Sequence, residues 1–129
     1  MDKRPAVIFS AFVFLLLLSG CTQKTDSPAG AGETARVTFT VTGYQGKIAE
    51  KLVDAEKGAN AFEVMKKNMN VEYAMYSLGP LITEIEGAKP EGSDYWALYV
   101  DGNYAEKGIA DYSLDKDMKI EWKIEKSPY

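Results

Sequence analysis

Acid–base and nucleophilic catalysis need a group that changes protonation near neutrality, or a nucleophile activated by a neighbouring base. This chain has no histidine and a single cysteine, Cys21. Imidazole relays, thiol–imidazole pairs and histidine-ligated zinc sites are therefore excluded. Carboxylates remain. Glu84 and Glu86 are two residues apart and share a face if their segment is a strand, while Asp115 and Asp117 flank Lys116 in what reads as a turn. Calcium takes six or more oxygens converging on one point, and no EF-hand-like loop gathers these carboxylates or Asp111, so they read as solvated charge. The chain is expected not to be an enzyme and to require no cofactor or metal.

What the sequence does concentrate is rings. Tyr95 to Tyr112 holds four of the eight tyrosines and one of the two tryptophans. In a strand from Asp94 to Asp101, Trp96, Leu98 and Val100 share one face, and Tyr95, Ala97 and Tyr99 share the other. One set must be core. The other leaves two rings flanking a small alanine, a shallow platform for something flat. Cross-strand packing uses the same residues, and spacing alone leaves both readings open.

The elements that must position these rings are short. Val37, Phe39 and Val41 alternate with threonines, the period of a half-buried strand, and a weaker strand is expected within 47–54. Asn60 suits a helix N-cap, with Glu63 three residues on as the second arm of a capping box. Ala61, Phe62, Met65 and Met69 then form an apolar stripe, so a helix is expected over 61–69. Beyond it the segments are β-like: 71–79, broken at Gly79-Pro80, then 81–87, 94–101, and 118–125 with Met118, Ile120, Trp122 and Ile124 on one face. Asp101-Gly102 predicts a tight hairpin turn. One helix on a mixed or antiparallel sheet makes the fold class α+β, with β-grasp the first expectation.

Ahead of this domain, Asp2-Lys3-Arg4 precedes an apolar run from Ala6 to Leu18, interrupted at Ser10. That run is short for a membrane span of about 20 residues and suits the core of a signal peptide. It ends in Leu18-Ser19-Gly20-Cys21, which resembles the bacterial lipoprotein box. An ordinary signal peptide with an incidental cysteine is the alternative. The organisation expected is a signal peptide over 1–20, a lipidated Cys21 with a flexible tether over 21–35, and the folded domain over 36–129. The protein would then sit outside the cytoplasm, anchored by lipid to the cytoplasmic or the outer membrane. The chain carries a net charge of −4, which argues against nucleic acid as a partner.

Four segments in order carry a resemblance: "AFEVMKKN" (61–68), "LGPLITEIEG" (78–87), "YWALYV" (95–100) and "KGIADY" (107–112), followed by "DKDMKIEWKI" (115–124). Together they resemble the transcobalamin-like C-terminal domain family, the small β-rich domain of animal cobalamin carriers, over about 37–125. The resemblance implies a ligand-binding surface for cobalamin or a related corrinoid. Leu78, Gly79, Pro80, Leu81 and Thr83 would form a hairpin lip, Trp96 and Leu98 the strand that meets the ligand, and Gly108, Ile109, Ala110 and Tyr112 the neighbouring loop. Leu81 stands where the family pattern has an aromatic ring, and Ala97 where it has a glutamine. The resemblance covers only the carriers' small domain and not their large helical one, so a second protein or transporter is expected to complete the site. The other class left open is an adhesion or protein-interaction module that reuses the fold.

Overall fold

The alternation of Val37, Phe39 and Val41 becomes the floor of the core: all three are fully buried in strand β1, Thr34–Gly43. A computed structural model describes residues 32–129. The apolar run and Cys21 lie outside those residues, as does most of the expected tether. Strand β1 begins two residues earlier than expected, and Ala35 is already core.

A turn between Gly43 and Gly46 leads into β2, Gly46–Glu56, which pairs antiparallel with β1 along its whole length and is longer than its sequence suggested. On the other side β1 pairs in parallel with β7, Met118–Glu125, the last strand. Strand β7 pairs antiparallel with β5, Tyr95–Val100, which turns into the two-residue β6, Asn103–Tyr104. The five-stranded sheet is ordered β2-β1-β7-β5-β6. Its class is α+β, a mixed sheet with one helix. Asp101 (φ 51°) and Gly102 (φ 83°) both adopt the left-handed region, as the tight turn between β5 and β6 requires.

Paired residues on neighbouring strands share a face, so Phe39, Ile120, Val100, Trp122, Leu98 and Trp96 line one side of the sheet. Helix α1, Ala61–Asn68, packs on that side with Ala61, Phe62, Val64 and Met65 buried. The Asn60 side chain caps it, its Oδ1 accepting from Phe62 N at 3.0 Å and Glu63 N at 3.3 Å. The reciprocal arm of the capping box does not form: Glu63 pairs instead with Lys66 at 2.8 Å. Met69 is not a helical residue but its C-cap, donating to Met65 O at 2.9 Å.

A separate hairpin follows, β3 (Val71–Tyr76) with β4 (Gly79–Ile85), hydrogen-bonded to each other and not to the main sheet. Ile82 and Ile85 anchor it in the core, and Tyr73 meets the Phe62 ring edge-on at 4.9 Å. Glu86 does not continue the strand with Glu84. It sits beyond β4 at φ 49°, and its carboxylate accepts from Asn70 N at 3.0 Å. Ala31–Tyr129 makes up one compact unit, with the core assembled from β1 through β7.

Candidate functional site

Between the β4 side of the hairpin and the inner face of β5 and β7 lies a cavity of about 410 Å3, within the range of small-molecule sites. Its floor is apolar: Trp96 and Leu98 from β5, with Trp122 from β7 directly opposite Leu98 in register. Pro80, Leu81, Ile82 and Thr83 form the facing wall. Gly108 and Ile109 close one end, where a 3-10 turn spans Ile109–Asp111. The lining is completed by Lys89, Pro90, Asp94 and Tyr95 from the segment that enters β5, and by Tyr104, Ala105 and Lys107 from β6 and the segment after it.

Distant contacts hold each wall. Ala105 N donates to Leu98 O at 2.8 Å, fixing the segment after β6 against β5. Asn60 Nδ2 donates to Ala110 O at 2.7 Å, so one side chain both caps α1 and pins the 3-10 turn. The 91–94 loop is latched by Tyr44, whose hydroxyl donates to Asp94 Oδ2 at 2.6 Å and accepts from Glu91 N at 2.8 Å. The Asp94 hydrogen bond, first among its causes, raises the Tyr44 pKa above the ordinary tyrosine value.

Of the residues that the family resemblance implies, Pro80, Leu81, Thr83, Trp96, Leu98, Gly108 and Ile109 come together around this cavity. Four do not line it. Leu78 projects from the hairpin tip with 96% of its surface exposed. Gly79 supplies the left-handed backbone of that turn, at φ 117°. Ala110 contributes its carbonyl to Asn60. Tyr112 is half-buried, with the Lys107 ammonium 4.6 Å from its ring centroid. Neither spacing nor resemblance points to Ile82, Tyr104, Ala105, Lys107, Trp122 or the 89–94 loop as lining, nor to Tyr44 as its latch. Trp122 was placed on an apolar face, but only the strand order brings it beside Leu98.

Trp96 and Trp122 are 8% and 5% exposed, and their indole Nε1 atoms are buried without a hydrogen-bond partner among the described residues. A buried donor left unsatisfied costs about 1–3 kcal/mol. Two unused donors thus belong to rings that floor one cavity.

The outer face of the sheet does not offer the open platform that Tyr95, Ala97 and Tyr99 suggested. Ala97 is fully buried. Lys123, opposite Ala97 in register, holds its ammonium 4.7 Å from the Tyr99 ring centroid. The Tyr99 hydroxyl donates to Glu125 at 2.5 Å, and the Tyr95 hydroxyl to the same carboxylate at 3.5 Å. Tyr95 is pushed up to about 12, chiefly by the Tyr104 hydroxyl and then by burial, while Tyr99 is raised mainly by Glu125. Tyr99 is thus engaged by its neighbours, whereas Tyr95 and Tyr104 also line the cavity. Among the described residues, no group of three acidic side chains is placed to hold a metal ion.

No curated protein matches this chain. Solved structures that share its fold include the following two. A protein from Ruminococcus gnavus, provisionally named a metal binding protein, aligns with a TM-score of 0.61 at 15% identity, over 72% of this chain and 98% of its own. Haptocorrin, solved in complex with Cbi, aligns with a TM-score of 0.61 at 22% identity, over 73% of this chain but only 25% of haptocorrin. The fold is transcobalamin-like. At the level of sequence, the family described as Domain of unknown function (DUF4430) matches residues 58–126, from the end of the β2–α1 turn through β7, and this chain belongs to that family.

Proposed function

We propose that this protein is a lipid-anchored binding module whose groove between β4 and β5 grips one edge of a corrinoid, with a second protein or transporter supplying the opposite wall. One observation carries the reading. Residues drawn from three separate segments by family resemblance, among them Pro80, Leu81, Trp96, Leu98 and Gly108, line a single cavity. The helix following β2, and the strand order β2-β1-β7-β5-β6 with its central strands parallel, favour the β-grasp description. Cavity size sets the expected strength. About 410 Å3 receives only an edge of so large a ligand, so affinity of the domain by itself should be on the order of micromolar or weaker.

The test is a titration of the chain from Thr22 onward with cyanocobalamin, followed by tryptophan quenching and calorimetry. Quenching is expected because both tryptophans floor the groove. The visible spectrum of the corrinoid should hardly change, since the chain has no histidine to offer to cobalt. Absence of heat and quenching at about millimolar ligand, well beyond the expected range, would reject the corrinoid. The anchor is tested separately. Cys21→Ser should release the protein from the membrane fraction or leave its leader uncleaved, and unchanged mass and fractionation would reject lipidation.

A second reading, a protein-docking module, draws on the hairpin tip, where Met75, Tyr76 and Leu78 are 67%, 61% and 96% exposed. A partner that binds wild type and is lost in Leu78→Ser, with no corrinoid binding by either, would favour it.

A further inference from the structure

The groove is apolar at its floor and cationic at its rim. Among the described residues, the ion pairs engage Arg36, Lys47, Lys57, Lys66 and Lys123. Lys89 and Lys107 are in none of them, yet both line the cavity. The one carboxylate on that lining, Asp94, accepts from the Tyr44 hydroxyl at 2.6 Å and keeps its charge, which leaves two cations against one anion. In a chain of net charge −4, this is a local reversal of sign around an apolar pocket.

Both lysines stand on fixed backbone. Lys89 follows a two-way bridge between Ile85 and Ala88, with N–H to carbonyl distances of 3.0 and 2.9 Å, and precedes Pro90. Lys107 lies over the Tyr112 ring at 4.6 Å, a contact that positions the ammonium without neutralising it. They stand on the two rim segments described above, one ahead of β5 and one behind β6.

We infer that the groove selects an amphipathic organic anion: a flat apolar body that lies on Trp96, Leu98 and Trp122 and carries a phosphate or carboxylate at its edge for Lys89 and Lys107. This rests on the groove being the ligand site, as proposed above, and not on the ligand being a corrinoid. The charge supplies orientation, because an apolar floor by itself accepts a flat molecule either way round.

The probes are two dyes with one ring system, 8-anilinonaphthalene-1-sulfonate, which carries an anion, and N-phenyl-1-naphthylamine, which does not. Each is titrated into the chain from Thr22 onward, and occupancy is read from the two tryptophan indole signals in a nitrogen–proton correlation spectrum. Both dyes should shift the indole signals, with the sulfonate binding more tightly at low salt. Lys89→Gln and Lys107→Gln should each weaken the sulfonate by about 2- to 5-fold, the scale of a solvent-exposed charge contact, and leave the neutral dye unchanged. Inorganic phosphate should compete with the sulfonate and not with the neutral dye. If the two dyes bind equally, or the glutamine variants bind the sulfonate as wild type does, the anion preference is wrong while the groove stands. If neither dye moves an indole signal, the groove reading fails and the inference with it. Corrinoid failure in the separate titration, with the dye pattern intact, would leave the anion site and reject only that ligand.

Discussion

Asn60 joins the helix to the site, and its substitution separates two roles held by one side chain. Its Oδ1 caps α1 through Phe62 N and Glu63 N, and its Nδ2 holds Ala110 O at 2.7 Å. Losing an N-cap costs about 0.5–2 kcal/mol, and losing a hydrogen bond to a half-buried carbonyl about 0.5–1.5 kcal/mol. Asn60→Ala should therefore destabilise the domain by about 2 kcal/mol. Asn60→Asp keeps an acceptor at the helix N-terminus, where negative charge is favoured, but loses the donor to Ala110. It should cost about 1 kcal/mol, a donor's share without the cap. With a slope near 1 kcal/mol/M for a small domain, urea midpoints should fall by about 2 M and about 1 M. Tryptophan fluorescence follows the transition. Hydrogen exchange at Asp111 and Tyr112, whose amides donate to Gly108 O and Ile109 O, should speed up in both variants, since the 3-10 turn loses its tether in both. If the aspartate variant is as unstable as the alanine variant, or both lie within about 0.5 kcal/mol of wild type, the division of roles is wrong.

Two further outcomes follow from the packing and from the tyrosine cluster. Phe62 is 4% exposed and meets Tyr73 edge-on, so Phe62→Ala should cost about 3–5 kcal/mol in denaturant unfolding; a loss below about 1 kcal/mol would mean that the helix face is not the keystone of the core. Tyr95 at about 12, together with raised Tyr99 and Tyr44, holds its proton longer in the folded state than in the unfolded one. Stability should thus be intact below the ordinary tyrosine value of about 10 and decline as pH rises from there toward 12. Glu125→Gln should lower the Tyr99 titration, as read from phenolate absorbance, and an unchanged curve would remove Glu125 as its cause.

Much of this fold is local and could be read directly. The alternation in 37–41 and 118–124, the Asn60 cap and the Asp101-Gly102 turn each depend on residues a few positions apart, and each appears where its pattern places it. Apart from element ends, which shift by a residue or more at β1, β2 and α1, the main failures are long-range or competitive. Glu63 had two partners within reach, and Lys66 one turn along the helix won over the Asn60 N–H. The Tyr44 latch spans 50 residues to Asp94, and no periodicity predicts it. Trp122 becomes a groove residue only because β7 lies between β1 and β5, a consequence of parallel pairing between the first and last strands.

The same topology explains why the site and the core use the same side chains. An eight-residue helix is about 12 Å long and about 10 Å wide, whereas five strands spaced about 4.8 Å apart span about 19 Å. Helix α1 lies toward β2 and the 3-10 turn, so it cannot also cover β5 and β7. The hairpin takes over that part of the face. Because it shares no ladder with the main sheet, side-chain packing holds it, at Ile82 and Ile85 in the core and at Tyr73 against Phe62. The cavity lies between β4, along Pro80 to Thr83, and the face of β5 and β7. Trp96 and Leu98 are therefore core residues at their base and groove residues at their exposed edge, 8% and 7% exposed. To ask whether they are structural or functional is to divide one surface in two. A substitution that separates the roles must leave the floor intact and change the rim, and the rim is where Lys89 and Lys107 stand.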